Sequence, residues 1–371
     1  MEVAINMRVV AFQMGGQQRA AAEVANRLAA AIEIKPKSPL CGLAGHLWEQ
    51  LALPARAGGR LLWSPSATGP LVYSRQVVTV HDVAFLDVPE CFSASFRHLY
   101  AKLTPALMRR VAKVVTVSEF SRRRIIERTA VDPNKIVVIG NGVSNQFQIQ
   151  DPLAIARTRA ALRLPERYFL INATSRRKNA ARALRAWRSV SASLPDDLWL
   201  IVCGRRDCAR VTGDLEALDE APRTRFIGYV AEEHLAPLIG GAEAFLFPSI
   251  YEGFGIPILE AMACGTPVLT SAATATAEVA GDAALLIDPF DESSIGRGIL
   301  ALATDASLRA RLSRSGPRHA VKFTWDDVAN RYRGLFDSLE EGRLREVRGR
   351  SAERPKSDEL STPPPPDLRG A

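Results

Sequence analysis

Two carboxylates, Glu252 and Glu260, stand eight residues apart in the string Ser249-Ile-Tyr-Glu-Gly-Phe-Gly-Ile-Pro-Ile-Leu-Glu-Ala-Met-Ala-Cys-Gly-Thr-Pro-Val268. Between them, Gly253-Phe254-Gly255 reads as a turn that opens an apolar helix carrying Ile256 and Leu259. Glycine permits backbone conformations and close approaches that bulkier residues forbid. The first amides of a helix have no partner within it, so the turn would present an anion site suited to a diphosphate. A glutamate beside such a turn can accept from sugar hydroxyls. A second, one or two helical turns on, can accept from a ribose diol. Upstream, Arg176-Arg177-Lys178-Asn179 sets cations at a predicted helix start, where the dipole disfavours them unless an anion lies near.

Alternating β and α elements would have to position these groups. Short β-branched runs predict strands at Arg8–Phe12, Leu61–Ser64, Val77–Val80, Lys113–Val117 and Lys135–Ile139. A second series follows the polar stretch Asn145–Leu153: Tyr168–Asn172, Leu198–Cys203, Arg225–Ile227, Ala244–Phe247, Pro267–Thr270 and Ala284–Ile287. Helical patterns fall between, including Arg19–Ala31, Ser95–Arg110, Ala180–Leu194 and Leu259–Ala263. Ser118 suits the N-cap of a helix through Arg128. The reading is two Rossmann-like, doubly wound α/β units, residues 1–150 and 151–324, facing a central cleft at the carboxyl ends of their strands. Thr324-Trp325-Asp326-Asp327 predicts a last helix to about Leu339, packing back on the first unit. Residues 340–371, charged and then proline-rich, have little to bury and are expected to be disordered.

The twenty-residue string resembles the E-x7-E signature of retaining glycosyltransferases of the GT-B fold, family 4, and the resemblance runs from roughly Arg8 to Leu339. Val78-Thr-Val-His-Asp-Val83 is similar to that family's histidine strand end. Val115-Thr-Val-Ser-Glu-Phe-Ser-Arg122 is similar to its serine-glutamate helix start. Asn141-Gly-Val143 and Glu278-Val-Ala-Gly-Asp-Ala-Ala-Leu-Leu-Ile-Asp-Pro289 match further segments. The resemblance implies that Glu252 contacts donor sugar hydroxyls, Glu260 the ribose, and Lys178 with Arg177 the donor phosphates. Gly15 and Gly16 would let the backbone approach the diphosphate, and His81 would sit near the transferred sugar. Read without the family, Gly15-Gly16 is a tight βα turn, His81-Asp82 a strand end and Ser118-Glu119 a helix cap. Two departures stand out: Ala173 occupies a position where some relatives carry arginine, and Gly15-Gly16 continues as Gln17-Gln18-Arg19. Phosphate neutralisation would then rest on Lys178 and Arg177 or Arg176, without a metal or other cofactor.

The expected reaction is transfer of a hexosyl group from a nucleotide sugar with retention at the anomeric carbon. Leu61-Leu-Trp-Ser-Pro-Ser-Ala-Thr-Gly-Pro-Leu71 and Gln76-Val-Val-Thr-Val-His-Asp82 resemble bacterial exopolysaccharide and O-antigen mannosyltransferases, which implies GDP-mannose as donor and a polyprenyl-diphosphate-linked oligosaccharide as acceptor. A UDP sugar is the alternative donor. A UDP-sugar 2-epimerase shares the architecture but needs an acid/base set that the sequence does not display.

Composition agrees with an enzyme of this kind. The chain has 371 residues, 47% hydrophobic and 24% charged, which calls for two cores rather than one. All of its net charge of +8 falls in residues 1–150, which hold 18 Lys and Arg against 10 Asp and Glu. Much of it lies between Arg97 and Arg128, a basic face that suits an anionic membrane or a phosphorylated acceptor. Nucleic acid would be another partner for that face, but Arg109–Arg128 lacks interleaved stacking aromatics, so none is expected. No apolar run reaches spanning length and the N-terminus lacks a signal-type core, so a cytosolic location, peripheral at the inner membrane face, is expected. Cys41, Cys91, Cys203, Cys208 and Cys264 show no metal spacing and are expected as reduced, packed thiols.

Overall fold

The computed structural model describes residues 2–11, 15–204 and 221–352. Twelve strands among them form two six-stranded sheets in which every pairing is parallel. The first comprises Val3–Asn6 (β1), Ala31–Ile34 (β2), Leu61–Ser64 (β3), Gln76–Thr79 (β4), Lys113–Thr116 (β5) and Ile136–Val138 (β6), in the order β2-β1-β3-β4-β5-β6. The second comprises Arg167–Asn172 (β7), Leu198–Cys203 (β8), Thr224–Gly228 (β9), Ala244–Phe247 (β10), Val268–Ser271 (β11) and Leu285–Ile287 (β12), in the order β12-β11-β10-β7-β8-β9. The order reverses between β7 and β10, so the loops leaving these two strands splay apart and open a crevice. Arg176–Lys178 follows β7, and Ser249–Gly255 follows β10.

Helices cover both faces of each sheet. They are Gly16–Ala25 (α1), Gly42–Ala57 (α2), Ala84–Asp87 (α3), Ala94–Arg110 (α4), Glu119–Thr129 (α5), Pro152–Ala161 (α6), Ala180–Val190 (α7), Glu232–Gly240 (α8), Ile256–Ala263 (α9), Ala275–Ala280 (α10), Glu292–Thr304 (α11), Ala306–Ala320 (α12) and Trp325–Ala352 (α13). The helix α7 buries Ala183, Leu184 and Trp187 on one face, and Trp187 meets Phe169 of β7 edge-on at 6.0 Å. The helix α13 returns to the first sheet, where Tyr332 and Phe336 pack on Trp63 at 4.8 and 6.2 Å. The Trp63 indole donates to Thr79 Oγ1 (3.0 Å), which lies 2.9 Å from the Tyr332 hydroxyl, so the polar ends of both rings are satisfied in the core. Thr324 Oγ1 accepts from Asp327 N (3.1 Å), a capping bond at the start of this helix.

Four expectations need correction. The first strand is Val3–Asn6, and Met7–Ala11 forms a 3-10 helix; Phe12 lies outside the described residues. Val3–Asn6 is buried because it is paired on both sides, whereas Arg8 turns into an ion pair with buried Glu49 (2.9 Å). The helix begun at Gly16 stops at Ala25, and Ala31–Ile34 is an edge strand, half-exposed and therefore without a clear alternation. Residues 340–352 are helical rather than disordered. Glu340 pairs with Arg75 and with Arg343, and Arg345 with Glu341, so side-chain ion pairs support a helix that buries little. The rest of that expected tail, 353–371, lies outside the described residues. Cys91, Cys203 and Cys264 are buried, but Cys41 is exposed, and Cys208 is not among the described residues.

Candidate functional site

The crevice between β7 and β10 brings Lys178 and Glu252 together, 74 residues apart in sequence: Lys178 Nζ donates to Glu252 Oε1 at 2.8 Å. Both side chains are largely buried, 15% and 12% exposed, so each charge depends on the other. Burial pushes the Glu252 carboxyl up, but Lys178 and Arg177 outweigh it and hold the group below the usual carboxylate range. The Lys178 ammonium also lies 4.3 Å from the Phe247 ring centroid, fixing it from below. Arg177 Nη1 reaches across the cleft to Asp82 Oδ2 (3.4 Å), with its guanidinium 5.3 Å from the Phe92 ring centroid. Arg176 Nη1 donates to the Glu90 carbonyl (3.3 Å). Both arginines therefore touch the first lobe, and Lys178 alone of the three pairs with Glu252.

The Gly253–Gly255 bend packs tightly against the first lobe. A Cβ on Gly253 would lie 2.4 Å from the His81 carbonyl oxygen and 2.8 Å from Asp82 Cβ, so only glycine fits. Ser118 Oγ donates to the Gly253 carbonyl (2.7 Å) while accepting from Ser121 N (3.0 Å). Ser118 is thus both the cap of α5 and an interlobe anchor. The Ser121 hydroxyl lies within reach of the His81 and Gly253 carbonyls, at 3.0 and 3.2 Å. Gly255 has φ +110°, a conformation that side chains rarely adopt, and it turns the chain into α9 without a side-chain cap.

His81 turns its ring away from this bend. Its Nε2 lies 3.1 Å from the Pro65 carbonyl, an acceptor, so Nε2 carries the proton; burial lowers the imidazole's pKa and keeps it neutral, despite Pro65 and Asp82. The backbone carbonyl of His81, not its ring, is the group against Gly253.

Glu260 lies one helical stretch beyond. The residue is 6% exposed, and its carboxylate forms an ion pair with Arg19 of α1, which also binds Glu232 (2.8 Å). Burial raises Glu260 to about 7, partly opposed by Arg19 and reinforced by Glu232. Gly15 and Gly16 are exposed at the start of α1, and a Cβ on Gly16 would lie 3.7 Å from Ile256 Cδ1. The glycines of the first lobe therefore face the start of α9. Three residues named with the donor site in the sequence reading have buried side chains. Leu259 is fully buried, Ile256 is 9% exposed, and Phe254 packs against Gly140 and Phe323. Leu259 belongs to the apolar core, whereas Phe254 and Ile256 turn toward Gly140 and Gly16 of the first lobe.

Sequence reasoning overlooked Arg19 and Glu278. The carboxylate of Glu278 accepts from Glu119 N (2.9 Å) and Phe120 N (3.0 Å), capping α5 from the opposite lobe. The signal for Arg19 was present: a cation in a first helical turn, the same mismatch that marked Lys178. The basic segment is partly spent inside the protein. Arg124 and Arg128 converge on Asp87, and Lys113 and Lys135 donate to backbone carbonyls. Lys102, Arg109, Arg110 and Arg123 stay exposed. No helix among the described residues is long and apolar enough to cross a membrane.

Comparison with known proteins follows the division into lobes. Residues 158–319 match the model for glycosyl transferases group 1, and residues 63–147 that for glycosyltransferase family 4. An O-antigen chain mannosyltransferase B from Escherichia coli is 32% identical over 260 residues, 68% of each chain. A D-inositol 3-phosphate glycosyltransferase from Salinispora tropica is 32% identical over 222 residues, 54% of this chain and 46% of that one. Among solved structures, sucrose-phosphate synthase from Thermosynechococcus elongatus superposes with a TM-score of 0.71 at 19% identity, covering 92% of this chain and 99% of the other, and shows the same two-lobed GT-B fold.

Proposed function

The chain belongs to the family 4, group 1 glycosyltransferases, and from that membership we propose that it transfers mannose from GDP-mannose, with retention, to a polyprenyl-diphosphate-linked oligosaccharide in surface-polysaccharide synthesis. The observation that carries the reading is the Lys178–Glu252 pair at 2.8 Å, set at the crevice between β7 and β10 beside the Gly253–Gly255 bend.

In this reading the donor lies along the crevice. Glu260 accepts from the ribose hydroxyls and Glu252 from hydroxyls of the transferred sugar. Lys178, Arg177 and the first amides of α9 face the diphosphate. As the bond from the anomeric carbon to the diphosphate oxygen lengthens, negative charge gathers on the leaving group. A fixed ammonium and oriented amides stabilise that charge without reorganising, and no metal is invoked. The acceptor hydroxyl attacks from the face the leaving group departs, and a leaving phosphate oxygen takes its proton. The new glycosidic bond then keeps the original anomeric configuration. The His81 carbonyl, fixed against Gly253, would border the sugar.

The exposed Lys102, Arg109, Arg110 and Arg123 suit attachment at an anionic lipid surface, where the acceptor resides. The test is incubation with a panel of GDP and UDP sugars, read as free nucleotide released. GDP from GDP-mannose is the expected product, rising when lipid-linked acceptor is added. Release from a UDP sugar alone would reassign the donor, and neither release nor binding of any nucleotide sugar would end the proposal.

A further inference from the structure

Beside the proposed donor site lies a cavity of about 160 Å³ that both lobes line. The second lobe contributes Arg176, Arg182 and Arg185 with the first turn of α7; the first lobe contributes Glu90 and Cys91. Lys178 and Glu252 are not among its lining residues. The volume exceeds roughly tenfold the 10–15 Å³ that one water requires.

Its chemistry favours an anion. Arg182 Nη1 donates to Asn179 Oδ1 (2.8 Å) and the Pro289 carbonyl (3.1 Å), both neutral acceptors, so no carboxylate among the described residues cancels its charge. The Phe290 ring lies 5.9 Å from the same guanidinium and limits its freedom. Arg185 has an exposed partner, Glu292, at 3.1 Å, and such surface pairs hold weakly. Asn179 stands at the cap position of α7, but its amide is committed to the Pro248 and Pro289 carbonyls (3.0 and 2.8 Å). No side chain caps the helix, so its first-turn amides at Ala180 and Ala181 add their partial positive charge to the same cavity. Among the described residues of the lining, Glu90 is the only carboxylate.

We propose that this cavity is a diphosphate-binding subsite for the acceptor, distinct from the site of the donor's diphosphate. The assignment to the acceptor rests on the transferase reading above; the anion chemistry does not. Two guanidiniums on successive turns and an uncapped helix end match a group that spreads two or more negative charges over several oxygens. Held there, the acceptor's lipid-proximal end would leave its sugar hydroxyl to reach the cleft.

The experiment titrates the full chain calorimetrically with inorganic pyrophosphate and with a short isoprenyl diphosphate, in GDP or UDP sufficient to fill the donor site. Wild type is expected to bind both ligands under that condition. Replacing both residues, Arg182→Gln with Arg185→Gln, is expected to weaken both roughly tenfold while nucleotide affinity stays within about twofold. Arg185→Gln alone, at an exposed position, is expected to weaken them about threefold and serves if loss of Arg182 disturbs the Pro289 loop. Exclusion of pyrophosphate by nucleotide would overturn the proposal, as would variants that bind it like wild type or that lose nucleotide equally. Binding of inorganic pyrophosphate but not of the isoprenyl ligand would overturn the assignment to a lipid-linked acceptor. Wild type that binds pyrophosphate yet no nucleotide would leave the subsite standing and remove the donor reading instead.

Discussion

Arg19 of the first lobe and Glu260 of the second are partners in an ion pair that spans the cleft, with the carboxylate buried. Arg19 also holds Glu232, which accepts from Gln146 (2.7 Å), so one guanidinium ties α1 to α8 and α9. Glu260 is raised to about 7, chiefly by burial, so the group proposed to accept ribose hydroxyls changes charge near neutrality. Once protonated, it loses acceptor capacity. Nucleotide affinity is expected to fall as pH drops from about 8 to about 6, following one proton. Glu260→Gln should flatten that profile at an affinity roughly tenfold weaker or more, since hydrogen bonds to charged groups are worth about 1.5–3 kcal/mol. Calorimetric titration across this range checks both outcomes, and a flat wild-type profile would remove the ribose assignment.

The same shift carries a stability signature. The folded pKa of Glu260, about 7, exceeds the ordinary value of 4.5, so between them the folded state holds more protons than the unfolded one. Its contribution to stability is therefore complete below the unfolded value and is lost as pH rises through about 7. Glu260→Gln cannot ionise, so it should lose less stability than wild type between about pH 5 and pH 8. Parallel thermal unfolding curves for the two proteins decide the matter; equal slopes would refute it.

Lys178 and Glu252 should behave as a coupled unit. Glu252→Ala is expected to lower kcat/KM roughly 10²-fold or more, about 2.7 kcal/mol of barrier. Removing Lys178 alone leaves Glu252 buried without its closest counter-charge, a loss of about 3–5 kcal/mol in comparable pairs. The double variant Lys178→Met, Glu252→Leu should then be more stable than Lys178→Met by itself. Chemical denaturation of wild type, Lys178→Met, Glu252→Leu and the double variant gives the coupling energy. Strict additivity would mean that the pair contributes independently and that the close contact has no energetic meaning.

Much of this arrangement was legible in the sequence, and the exceptions have physical causes. Leu198–Cys203 and Ala244–Phe247 were read to the residue because central parallel strands are buried on both faces and appear as unbroken apolar runs. Ala31–Ile34 was missed because an edge strand with one half-exposed face lacks that pattern. Lys178 and Glu252 were expected at one site because the family resemblance implies it, and the cation at a helix start and the glutamate beside a glycine turn each agree with that. Arg19 and Glu278 were not, because their partners lie 241 and 159 residues away and only the packing of the lobes brings them together. Leu259 was named with the donor site by its place in the motif, and its side chain lies fully buried in the core.

Glu278 should matter through the helix it caps. Its two oxygens take the Glu119 and Phe120 amides, which α5 leaves without partners of its own. Glu278→Ala is expected to reduce stability by about 1 kcal/mol, and Glu278→Gln, which keeps an acceptor but not the charge, by less. Because the bond crosses the cleft, hydrogen exchange at Glu119 and Phe120 should quicken in the alanine variant more than at β5. Unchanged exchange there would show that the lobes are held by other contacts.

Gly253 offers the sharpest test of how closely the lobes must meet. An added methyl would stand 2.4 Å from the His81 carbonyl oxygen, 3.1 Å from its carbon and 2.8 Å from Asp82 Cβ. Two of these are backbone atoms, which cannot swing aside, so the lobes must separate by more than a side-chain adjustment. Separation would also stretch the Ser118 bond to the Gly253 carbonyl, now 2.7 Å, and draw Asp82 from Arg177. Overpacking of this kind costs about 1–3 kcal/mol, and displacing catalytic groups by an ångström can cost roughly 10²-fold in rate. Gly253→Ala is therefore expected to fold with lowered stability and to lose donor turnover by that order. Gly334, where a Cβ would meet nothing within 4 Å, supplies the control: Gly334→Ala should be neutral or slightly stabilising. Nucleotide release and melting temperature measured on both variants separate the two effects, and a fully active Gly253→Ala would show that the His81 contact has no part in the reaction.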